Sequence, residues 1–299
     1  MTHIAFLGVG RMGAPMAGRL AGAGHELTVW SRTRAHAEAL ADRATVAGSP
    51  AEAGGKAEVA ITMLADGAAL EEVTLGRDGL AESLPAGSLL VDMSTTGPAA
   101  ARKVAKALEP KGVGFVDAPV AGSVGPAREG ALAIMVGGEA EAVERARPLL
   151  ALLGDPRRTW HVGGVGCGQA AKLAVNLVLG GVMAAVAEGF TLGRVLGLDP
   201  EVALGVLEGA SVAALTVRSK RDRLLSGDFD GPGFRLALMH KDLRLALDAA
   251  RAARAALPGA ERVADLFAGA KGQGLADQDY SAVSAYLASM APLLDERPG

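Results

Sequence analysis

The sequence predicts an α/β N-terminal domain that is followed by an all-α C-terminal domain. Over the first 160 residues, short β-rich runs alternate with helical patterns, which is the order that produces a parallel sheet covered by helices. After the glycine-rich run 163–166, the pattern is helical to the end of the chain. We therefore place the domain boundary between residues 164 and 165. The resulting domains, 1–164 and 165–299, each have the length of an ordinary globular domain.

The predicted elements fill the first domain in order from the N-terminus. Apolar runs predict six strands, and amphipathic stretches between them predict four helices. The segment 112–130 is rich in Gly and Pro and predicts an ordered loop region at the edge of the sheet. The strands are 3–7, 27–30, 59–63, 89–92, 114–116 and 133–136, and the helices are 14–23, 34–42, 98–109 and 140–153.

Composition and charge argue against several classes of function. The net charge is −3 and no block of like charges occurs, so nucleic acid is not expected as a partner, because phosphate binding needs clustered Lys and Arg. The single cysteine, Cys167, fits a reducing cytoplasm, and residues 1–8 lack the features of a signal peptide. The longest apolar stretch, 174–187, is interrupted by Asn176 and falls short of the roughly 18 residues that span a bilayer. We expect a cytoplasmic protein with no membrane partner, in which this stretch is a buried helix.

A glycine-rich turn joins the first predicted strand to the first predicted helix. Its pattern is G-x-G-x-x-G, and the strand before it and the helix after it supply the context that the motif requires. The first glycine makes the tight turn, the second lets the backbone approach a pyrophosphate, and the third allows close packing of helix on strand. The pyrophosphate then meets the free N–H groups and positive dipole end of the helix. The alternative is a glycine-rich turn with no ligand. The turn predicts a Rossmann-type domain that binds a nicotinamide dinucleotide through Gly8, Val9, Gly10, Arg11, Met12 and Gly13.

The residues at the end of the second predicted strand favour NADP(H) over NAD(H). An Asp or Glu here would bind the ribose 2′-hydroxyl of NAD, but the chain has no acidic residue between positions 27 and 37. It has arginines instead, and a guanidinium group pairs with a 2′-phosphate in a bidentate manner. We expect Ser31, Arg32 and Thr33 to contact this phosphate, with NAD(H) as the less favoured cofactor. The alternative is that Arg32 and Arg34 are solvated charges, although arginines at a helix start oppose the helix dipole.

Five separated segments together resemble the β-hydroxyacid dehydrogenases, such as 3-hydroxyisobutyrate dehydrogenase, tartronate semialdehyde reductase and glyoxylate/succinic semialdehyde reductase. Each segment is short, but they occur in the family's order over nearly the whole chain. The resemblance implies hydride transfer between a nicotinamide cofactor, NAD(H) or NADP(H), and a short hydroxy acid or its semialdehyde, by a homodimer or homotetramer. The segments are 8–13, 92–96, 117–123, 168–176 and 239–243.

Lys172 and Asn176 are the catalytic residues that the resemblance implies. They lie four positions apart on a predicted helix and project from one face, with Gly168 one turn earlier, where it would leave room for a ligand. A lysine on an apolar helix more often extends to solvent, but Lys172 falls on the family's general acid/base. An ammonium group can give a proton to the alkoxide that hydride transfer produces, and it can stabilise the developing charge. Asn176 can orient the substrate or the lysine by hydrogen bonding.

The resemblance also assigns the groups that hold the substrate and the nicotinamide. Gly122 and Ser123 match the substrate-carboxylate site, where N–H groups and a hydroxyl can donate to an anion. Lys241 matches a lysine that closes over the active site, against both substrate and cofactor. Thr96 is expected to face the substrate as well as the cofactor. The nicotinamide is expected beside Met63, Leu64, Ser94, Thr95 and Thr96.

Each of these segments also has a purely structural interpretation. Residues 122–123 can form an ordinary connecting turn, and 94–96 can cap a helix that begins at Pro98. Lys241 and its neighbour Asp242 can form a solvated helix face. Ala121 stands where many family members carry Ser, a change that bears on the identity of the substrate more than on the reaction type.

Two other functions are compatible with this architecture. An imine reductase would share the fold and a similar end of the second strand, and a non-catalytic nucleotide-binding module would use the fold for partner contacts. Lys172 argues against both, because such relatives typically carry another residue at that position. No metal site is predicted, since the His residues at 3, 25, 36, 161 and 240 show no paired ligand spacing.

Overall fold

The computed structural model describes residues 1–210 and 214–290. The chain divides into two compact units, Met1–Leu173 and a unit that starts at Ala174. The first unit is an α/β structure and the second is helical, which confirms the predicted fold class. One continuous helix, which begins at Cys167, carries the chain from the first unit into the second.

A nine-stranded sheet is the centre of the first unit. Its strands are β1 His3–Leu7, β2 Glu26–Trp30, β3 Thr45–Val46, β4 Val59–Thr62, β5 Leu89–Asp92, β6 Gly114–Asp117, β7 Val120–Ala121, β8 Leu132–Gly137 and β9 Gly154–Gly163. Six of them, in the order β3-β2-β1-β4-β5-β6, are parallel to one another. Strand β8 runs antiparallel to β6 and β7, and β9 pairs with β8 in parallel.

Seven helices connect these strands. They are α1 Gly13–Gly22, α2 Arg34–Glu38, α3 Pro50–Gly54, α4 Gly67–Leu75, α5 Pro98–Leu108, α6 Val124–Glu129 and α7 Ala140–Leu153. Local chemistry explains several of their starts. The carboxylate of Asp66 accepts from the N–H of Ala69 at the start of α4, and Pro98 occupies the first position of α5, where a helix needs no N–H donor.

The order of the strands gathers the ends of four parallel strands at one edge of the sheet. The chain adds β2 and β3 on one side of β1 and then β4, β5 and β6 on the other, so β1 lies at a switch point. Ligands of open α/β sheets bind beyond the carboxyl ends of the strands at such a point. The registers align Leu7 with Thr62, Thr62 with Asp92, and Asp92 with Asp117. The segments that follow these residues therefore begin side by side.

All six predicted strands occur, and two of them, 3–7 and 89–92, have the predicted bounds. Residues 112–130 were predicted to form a loop region that contains one strand, 114–116. This prediction is wrong for the rest of the segment, which also forms β7 and α6. The sheet is mixed where the alternation predicted a parallel one, since β8 runs antiparallel to β6. Strand β9 was not predicted, because six of its ten residues are exposed and charged or polar residues interrupt its few apolar ones, so no apolar run marks it.

The second unit is built from six helices among the described residues, the first of which begins in the first unit. A core of apolar side chains that includes Met183, Phe190, Met239 and Phe267 holds them together. The helices are α8 Cys167–Val195, α9 Pro200–Ala210, α10 Ala214–Ser226, α11 Leu236–Ala252, α12 Pro258–Ala270 and α13 Val283–Met290.

The long helix α8 is buried on one side only. Met183 and Ala187 are buried, whereas Val175 and Val178 are 43% and 61% exposed. The prediction that residues 174–187 form a buried helix is therefore wrong for one face of this stretch. By length and composition α8 meets the criteria for a membrane span, and 44% of its most apolar window is buried. The core helices of soluble proteins meet the same criteria, so one such helix is weak evidence for a membrane.

Candidate active site

The glycine turn is shaped by its own packing at two of its three glycines. Gly8 has a φ of +95°, and its N–H donates to the carbonyl of Trp30 at 2.8 Å. A Cβ atom there would collide with the carbonyl of Met63, and one at Gly13 would collide with the carbonyl of Gly8. At Gly10, by contrast, no heavy atom lies within 4 Å of the position that a Cβ would take. The conformation of the turn thus requires glycine at positions 8 and 13. At Gly10 the absence of a side chain instead leaves empty space in front of α1.

The start of α1 fits a pyrophosphate. The helix begins at Gly13, and Met12 at its N-cap position makes no side-chain hydrogen bond to the first turn. The N–H groups of that turn are not capped by a side chain, and the helix dipole adds positive potential there. Val9 is buried, Met12 is half-buried and Arg11 is exposed. These features are the ones by which a helix start binds the phosphates of a dinucleotide.

The two arginines after β2 have different surroundings. The guanidinium of Arg34 pairs with Glu38 one turn along α2, at 2.8 Å. Arg32 is exposed and forms no ion pair with the residues that the structure describes. Ser31 is half-buried, and Thr33 occupies the N-cap position of α2 without a capping hydrogen bond. Arg32 is therefore the guanidinium that is available to a ligand phosphate.

The loop between β5 and α5, residues 94–97, is fixed by its own hydroxyl groups. Ser94 is buried, and its hydroxyl accepts from the N–H of Leu64 at 2.8 Å. Thr96 is also buried, and its hydroxyl donates to the carboxylate of Asp92 at 2.9 Å. The N-cap position of α5 belongs to Gly97, so the expectation that 94–96 cap this helix is wrong. The hydroxyls hold the loop against the ends of β4 and β5 instead.

Two carboxylates to which the sequence analysis gave no role are buried at this edge. Asp92 accepts hydrogen bonds from the hydroxyls of Thr62 and Thr96, both at 2.9 Å. Asp117 accepts from the N–H groups of Gly166 and Gln169 at 2.7 and 2.8 Å. Burial, with a smaller contribution from the negative charge of Asp92, raises the pKa of Asp117 to about 6, and burial also raises the pKa of Asp92. Both residues could have been identified from the sequence, because each is an acidic residue at the end of an apolar strand.

The start of α8 is packed closely on the ends of β6 and β8. A Cβ atom at Gly168 would lie 2.5 Å from the carbonyl oxygen of Met135 and 2.6 Å from that of Asp117. The expectation that Gly168 leaves room for a ligand is therefore wrong, because main-chain atoms of the sheet occupy that space. Lys172 follows one turn later and is 8% exposed. The first unit thus holds the helix turn before Lys172 in a fixed place.

The turn after β7 presents Ser123 to solvent. Gly122 has a φ of +138°, which favours glycine, and a Cβ there would lie 2.9 Å from Leu132. Ser123 is exposed and occupies the N-cap position of α6 without a side-chain capping bond. Its hydroxyl forms no hydrogen bond within the first unit, whose residues are all described. This geometry suits recognition of a small anion by N–H and hydroxyl donors.

The second unit joins Asn176 and Lys241 through a buried carboxylate. The amide Nδ2 of Asn176 donates to Asp242 Oδ2 at 2.5 Å, and both side chains are buried. Lys241 Nζ lies 2.9 Å from Asp242 Oδ1, and the Lys241 side chain is 24% exposed. The interpretation of Lys241 and Asp242 as a solvated helix face is wrong, because Asp242 is only 2% exposed. Asp242 is a site residue that the sequence analysis mentioned without a role.

The predicted site residues thus fall into two groups, one in each unit. In the first unit, packing at Gly8 and Met63 and the bond between Leu64 and Ser94 bring the cofactor residues to one sheet edge. In the second unit, Asn176 and Lys241 meet at Asp242. Within residues 1–210 and 214–290, no group of three His, Cys, Asp or Glu side chains could hold a metal ion.

Two family models cover the chain. The model described as the NAD binding domain of 6-phosphogluconate dehydrogenase matches residues 3–165. The model described as the NAD-binding domain of NADP-dependent 3-hydroxyisobutyrate dehydrogenase matches residues 166–287. Together the two matches include every residue that the sequence analysis assigned to the site.

Proteins of known name resemble the chain over most of its length. The 3-hydroxyisobutyrate dehydrogenase of Pseudomonas aeruginosa is 42% identical over 275 residues, which are 89% of this chain and 91% of that protein. The structure of Mycobacterium tuberculosis 3-hydroxyisobutyrate dehydrogenase with L-serine is 39% identical, with a TM-score of 0.84, and the match covers 96% of this chain and 99% of that one. An imine reductase from Pseudomonas sp., at 22% identity and a TM-score of 0.62 over 96% of this chain and 99% of that one, shares the fold.

Proposed function

The chain belongs to the β-hydroxyacid dehydrogenase family, and on that basis we propose that it interconverts a short hydroxy acid with its semialdehyde or keto form, with NADP(H) as the preferred cofactor. Its relatives support NAD(P)-dependent oxidoreductase chemistry on small hydroxy acids. The observation that carries the proposal is Lys172, a buried lysine one helical turn before Asn176, at the position of the family's general acid/base. Candidate substrates are 3-hydroxyisobutyrate, succinic semialdehyde and glyoxylate.

Lys172 moves the proton in this reaction. When bound, the nicotinamide supplies or accepts a hydride at the substrate carbon that bears the oxygen. During reduction, the Lys172 ammonium gives its proton to the carbonyl oxygen and stabilises the negative charge that grows there. During oxidation, the neutral amine takes the proton of the hydroxyl group. Because only 8% of Lys172 is exposed, few water molecules compete with the substrate for this proton.

Asp242 gives Asn176 a fixed orientation. The Nδ2 atom of Asn176 is committed to Asp242, which leaves the amide oxygen to accept a further hydrogen bond. On a helix, residues four apart lie one turn from each other, so this oxygen can accept from the ammonium of Lys172 or from the substrate hydroxyl. We therefore assign Asn176 to the orientation of the reacting groups and Asp242 to the positioning of Asn176.

The family resemblance is the basis on which we propose the turn at Gly122 and Ser123, and separately Lys241, as groups that bind the substrate carboxylate. Ser123 is exposed with an uncommitted hydroxyl in the first unit, and the ammonium of Lys241 supplies a positive charge. The hydroxyl of Thr96 is committed to Asp92, so we expect Thr96 to shape the β5–α5 loop rather than to donate to the substrate. Thr95 is half-buried, whereas the other residues of that loop are buried, so Thr95 is the better candidate for direct contact.

A substrate panel tests the proposal against its rivals. Short hydroxy acids are assayed with NADP⁺, and semialdehydes and a cyclic imine are assayed with NADPH, by the change in nicotinamide absorbance. We expect turnover of at least one carboxylate substrate and little turnover of its methyl ester, which lacks the negative charge that Lys241 and Ser123 would bind. A preference for the cyclic imine would establish the imine reductase instead. Cofactor binding without turnover of any substrate would favour the non-catalytic module.

Arg32→Asp is expected to separate the two cofactors. Loss of a charge-assisted pair and the added repulsion should raise the Kd of NADPH by about 10–100-fold, whereas the Kd of NADH should change by less than about three-fold. Both constants follow from fluorescence titration of the purified protein. The matched control is Arg34→Ala, because Arg34 is already paired with Glu38 and its loss should leave both constants close to those of the parent. An equal response of both cofactors to Arg32→Asp would refute the 2′-phosphate assignment.

A second copy of the chain is proposed to cover the apolar surface of the second unit. Most of the large hydrophobic side chains that are exposed among the described residues belong to this unit, and several lie along α8 and α9. Such a surface is more apolar than solvent-facing helices of monomers usually are. Light scattering should give two or four times the chain mass, and a monomer at micromolar concentration would contradict the proposal. The residues concerned are Val178, Leu192, Leu196, Leu198, Val202, Val206 and Leu215.

A further inference from the structure

Gln169 joins the β5–α5 loop to the first turn of α8 through one fully buried carboxamide. Its Oε1 accepts from the N–H groups of Thr96 and Gly97 at 2.9 and 3.0 Å. Its Nε2 donates to the carbonyl of Ser94 at 2.9 Å and lies 3.5 Å from Asp92 Oδ2. Because main-chain N–H groups can only donate, the atom that faces Thr96 and Gly97 must be the amide oxygen. All four hydrogen-bonding positions of the carboxamide are therefore used.

The main chain around Gln169 is held from the other side by the sheet. Its N–H donates to Asp117 at 2.8 Å, and the same carboxylate accepts from the N–H of Gly166 at 2.7 Å. Gly168 packs against the carbonyl of Met135 in β8. The first turn of α8 is thus bound to β6 and β8 by its backbone and to the β5–α5 loop by the Gln169 side chain. All of these contacts lie within the first unit.

We propose that Gln169 is a positioning residue that holds the β5–α5 loop and Lys172 in one fixed arrangement. Lys172 follows Gln169 by three residues, which is about 4.5 Å along the helix axis. The loop carries Ser94 and Thr95, which are expected beside the nicotinamide, so Gln169 connects the side that exchanges the hydride with the side that exchanges the proton. Reacting groups that are misplaced by about 1 Å can lose on the order of 10²-fold in rate. The inference rests on the proposed function, because it concerns the reaction only if Lys172 moves the proton.

Packing alone does not require an amide at this position. A buried carboxamide costs free energy unless each polar atom is paired, and an apolar side chain of equal length would fill the same space. Gln169→Met keeps that length and removes every hydrogen bond to the loop, leaving the N–H groups of Thr96 and Gly97 unpaired. Thr62→Val is the matched control. It removes one buried hydrogen bond to Asp92 Oδ1, whereas Gln169 approaches Oδ2, so the contacts of Gln169 stay in place.

Hydrogen–deuterium exchange in the cofactor-free protein tests the connection without any turnover. In Gln169→Met, the amides of residues 94–97 should exchange at least about ten-fold faster, because two of them lose their acceptor and the loop loses its contact with α8. Thr62→Val should leave the exchange of Gly97 and of residues 166–173 within about two-fold of the parent. Unchanged exchange of residues 94–97 in Gln169→Met would overturn the structural part of the inference.

Steady-state kinetics test whether Gln169 contributes to turnover. In Gln169→Met we expect kcat to fall by about 10–100-fold while the KM of the hydroxy acid and the Kd of NADPH stay within about three-fold. Thr62→Val should lower the melting temperature and leave kcat within about two-fold. The same Gln169→Met change made in a Lys172→Ala background should cost several-fold less than in the parent, because the part of its effect that depends on the position of Lys172 is already lost. An equal loss in both backgrounds would overturn the inference, while a fully active Lys172→Ala would overturn the proposed function itself.

Gln169→Glu provides a second variant if Gln169→Met does not fold. A neutral Glu carboxyl can accept from Thr96 and Gly97 and donate to Ser94, whereas an ionised one has no proton for Ser94. The charged groups around it are Asp92 from β5, Asp117 from β6 and Lys172 on α8 itself. We expect the ratio of its kcat to that of the parent to rise as the pH is lowered. A ratio that stays constant with pH would contradict the role of the amide donor.

Discussion

Replacement of Lys172 by alanine is expected to lower kcat by a factor on the order of 10²–10⁴ while the Kd of NADPH changes by less than about three-fold. The substrate loses the group that gives or takes the proton of its oxygen, whereas the dinucleotide residues of the glycine turn and of the segment after β2 are untouched. Steady-state rates at saturating cofactor, together with a fluorescence titration of NADPH, measure the two quantities separately.

Two further lysine variants make this result specific. Lys106→Ala removes an exposed lysine from α5 and should leave kcat within about two-fold, which controls for the loss of charge alone. Lys172→Arg keeps the positive charge, but a guanidinium group does not lose its proton at accessible pH. We therefore expect Lys172→Arg to remain close to the alanine variant in the direction of oxidation. A Lys172→Ala protein with near-normal turnover would remove Lys172 from its assigned role.

Gly13→Ala is expected to lower the stability of the protein, whereas Gly10→Ala is expected to weaken cofactor binding. A methyl group at Gly13 collides with the carbonyl of Gly8 inside the turn, so the cofactor-free protein should lose about 1–3 kcal/mol of unfolding free energy. A methyl group at Gly10 meets no protein atom, so stability should be retained. It would occupy the space through which the backbone approaches a pyrophosphate, and the Kd of NADPH should rise on the order of ten-fold or more. Chemical denaturation and cofactor titration separate the two effects.

Gly18 supplies the control for these two glycines. It lies in the same helix, α1, and a Cβ there also meets no atom within 4 Å. Gly18→Ala should bind NADPH like the parent and should gain up to about 1 kcal/mol of stability, because alanine favours the helix. If Gly10→Ala bound NADPH as tightly as Gly18→Ala does, the pyrophosphate would not lie at the glycine turn.

The fold class could be predicted because its determinants are local in the chain. The apolar runs 3–7 and 89–92 have flanking turns that mark their ends, and the structure reproduces their bounds. The context of Gly8 between a strand and a helix predicted a turn that the structure shows to depend on glycine. The features that were missed lack such local signals. Strand β9 is exposed and polar, and β7 has only two residues, so neither carries a hydrophobic period.

The polar network of the site could not be predicted, because its partners are far apart in sequence. Gln169 bonds to Thr96 across 73 residues, and Asn176 bonds to Asp242 across 66. All of these residues lie in the segments that resemble the family, but a sequence motif does not show which side chains contact each other. The surroundings of Gly168 could not be predicted from its motif either. Its small size was interpreted as room for a ligand, whereas the main chain of β6 and β8 fills that space. The pairing of Gln169 follows from the sheet order, which brings β5, β6 and β8 to one edge, and the pairing of Asn176 follows from the packing of α8 on α11.

The central claim is that a hydride passes between a nicotinamide and the oxygen-bearing carbon of a short carboxylate substrate. The most direct measurement follows the label from NADPH deuterated at the transferable C4 position into the product, by mass spectrometry or NMR. With succinic semialdehyde or glyoxylate as substrate, we expect one deuterium per product molecule, on the carbon that carries the new hydroxyl group. A hydroxy acid product without deuterium on that carbon, or label that appears only when a cyclic imine is supplied, would contradict the account.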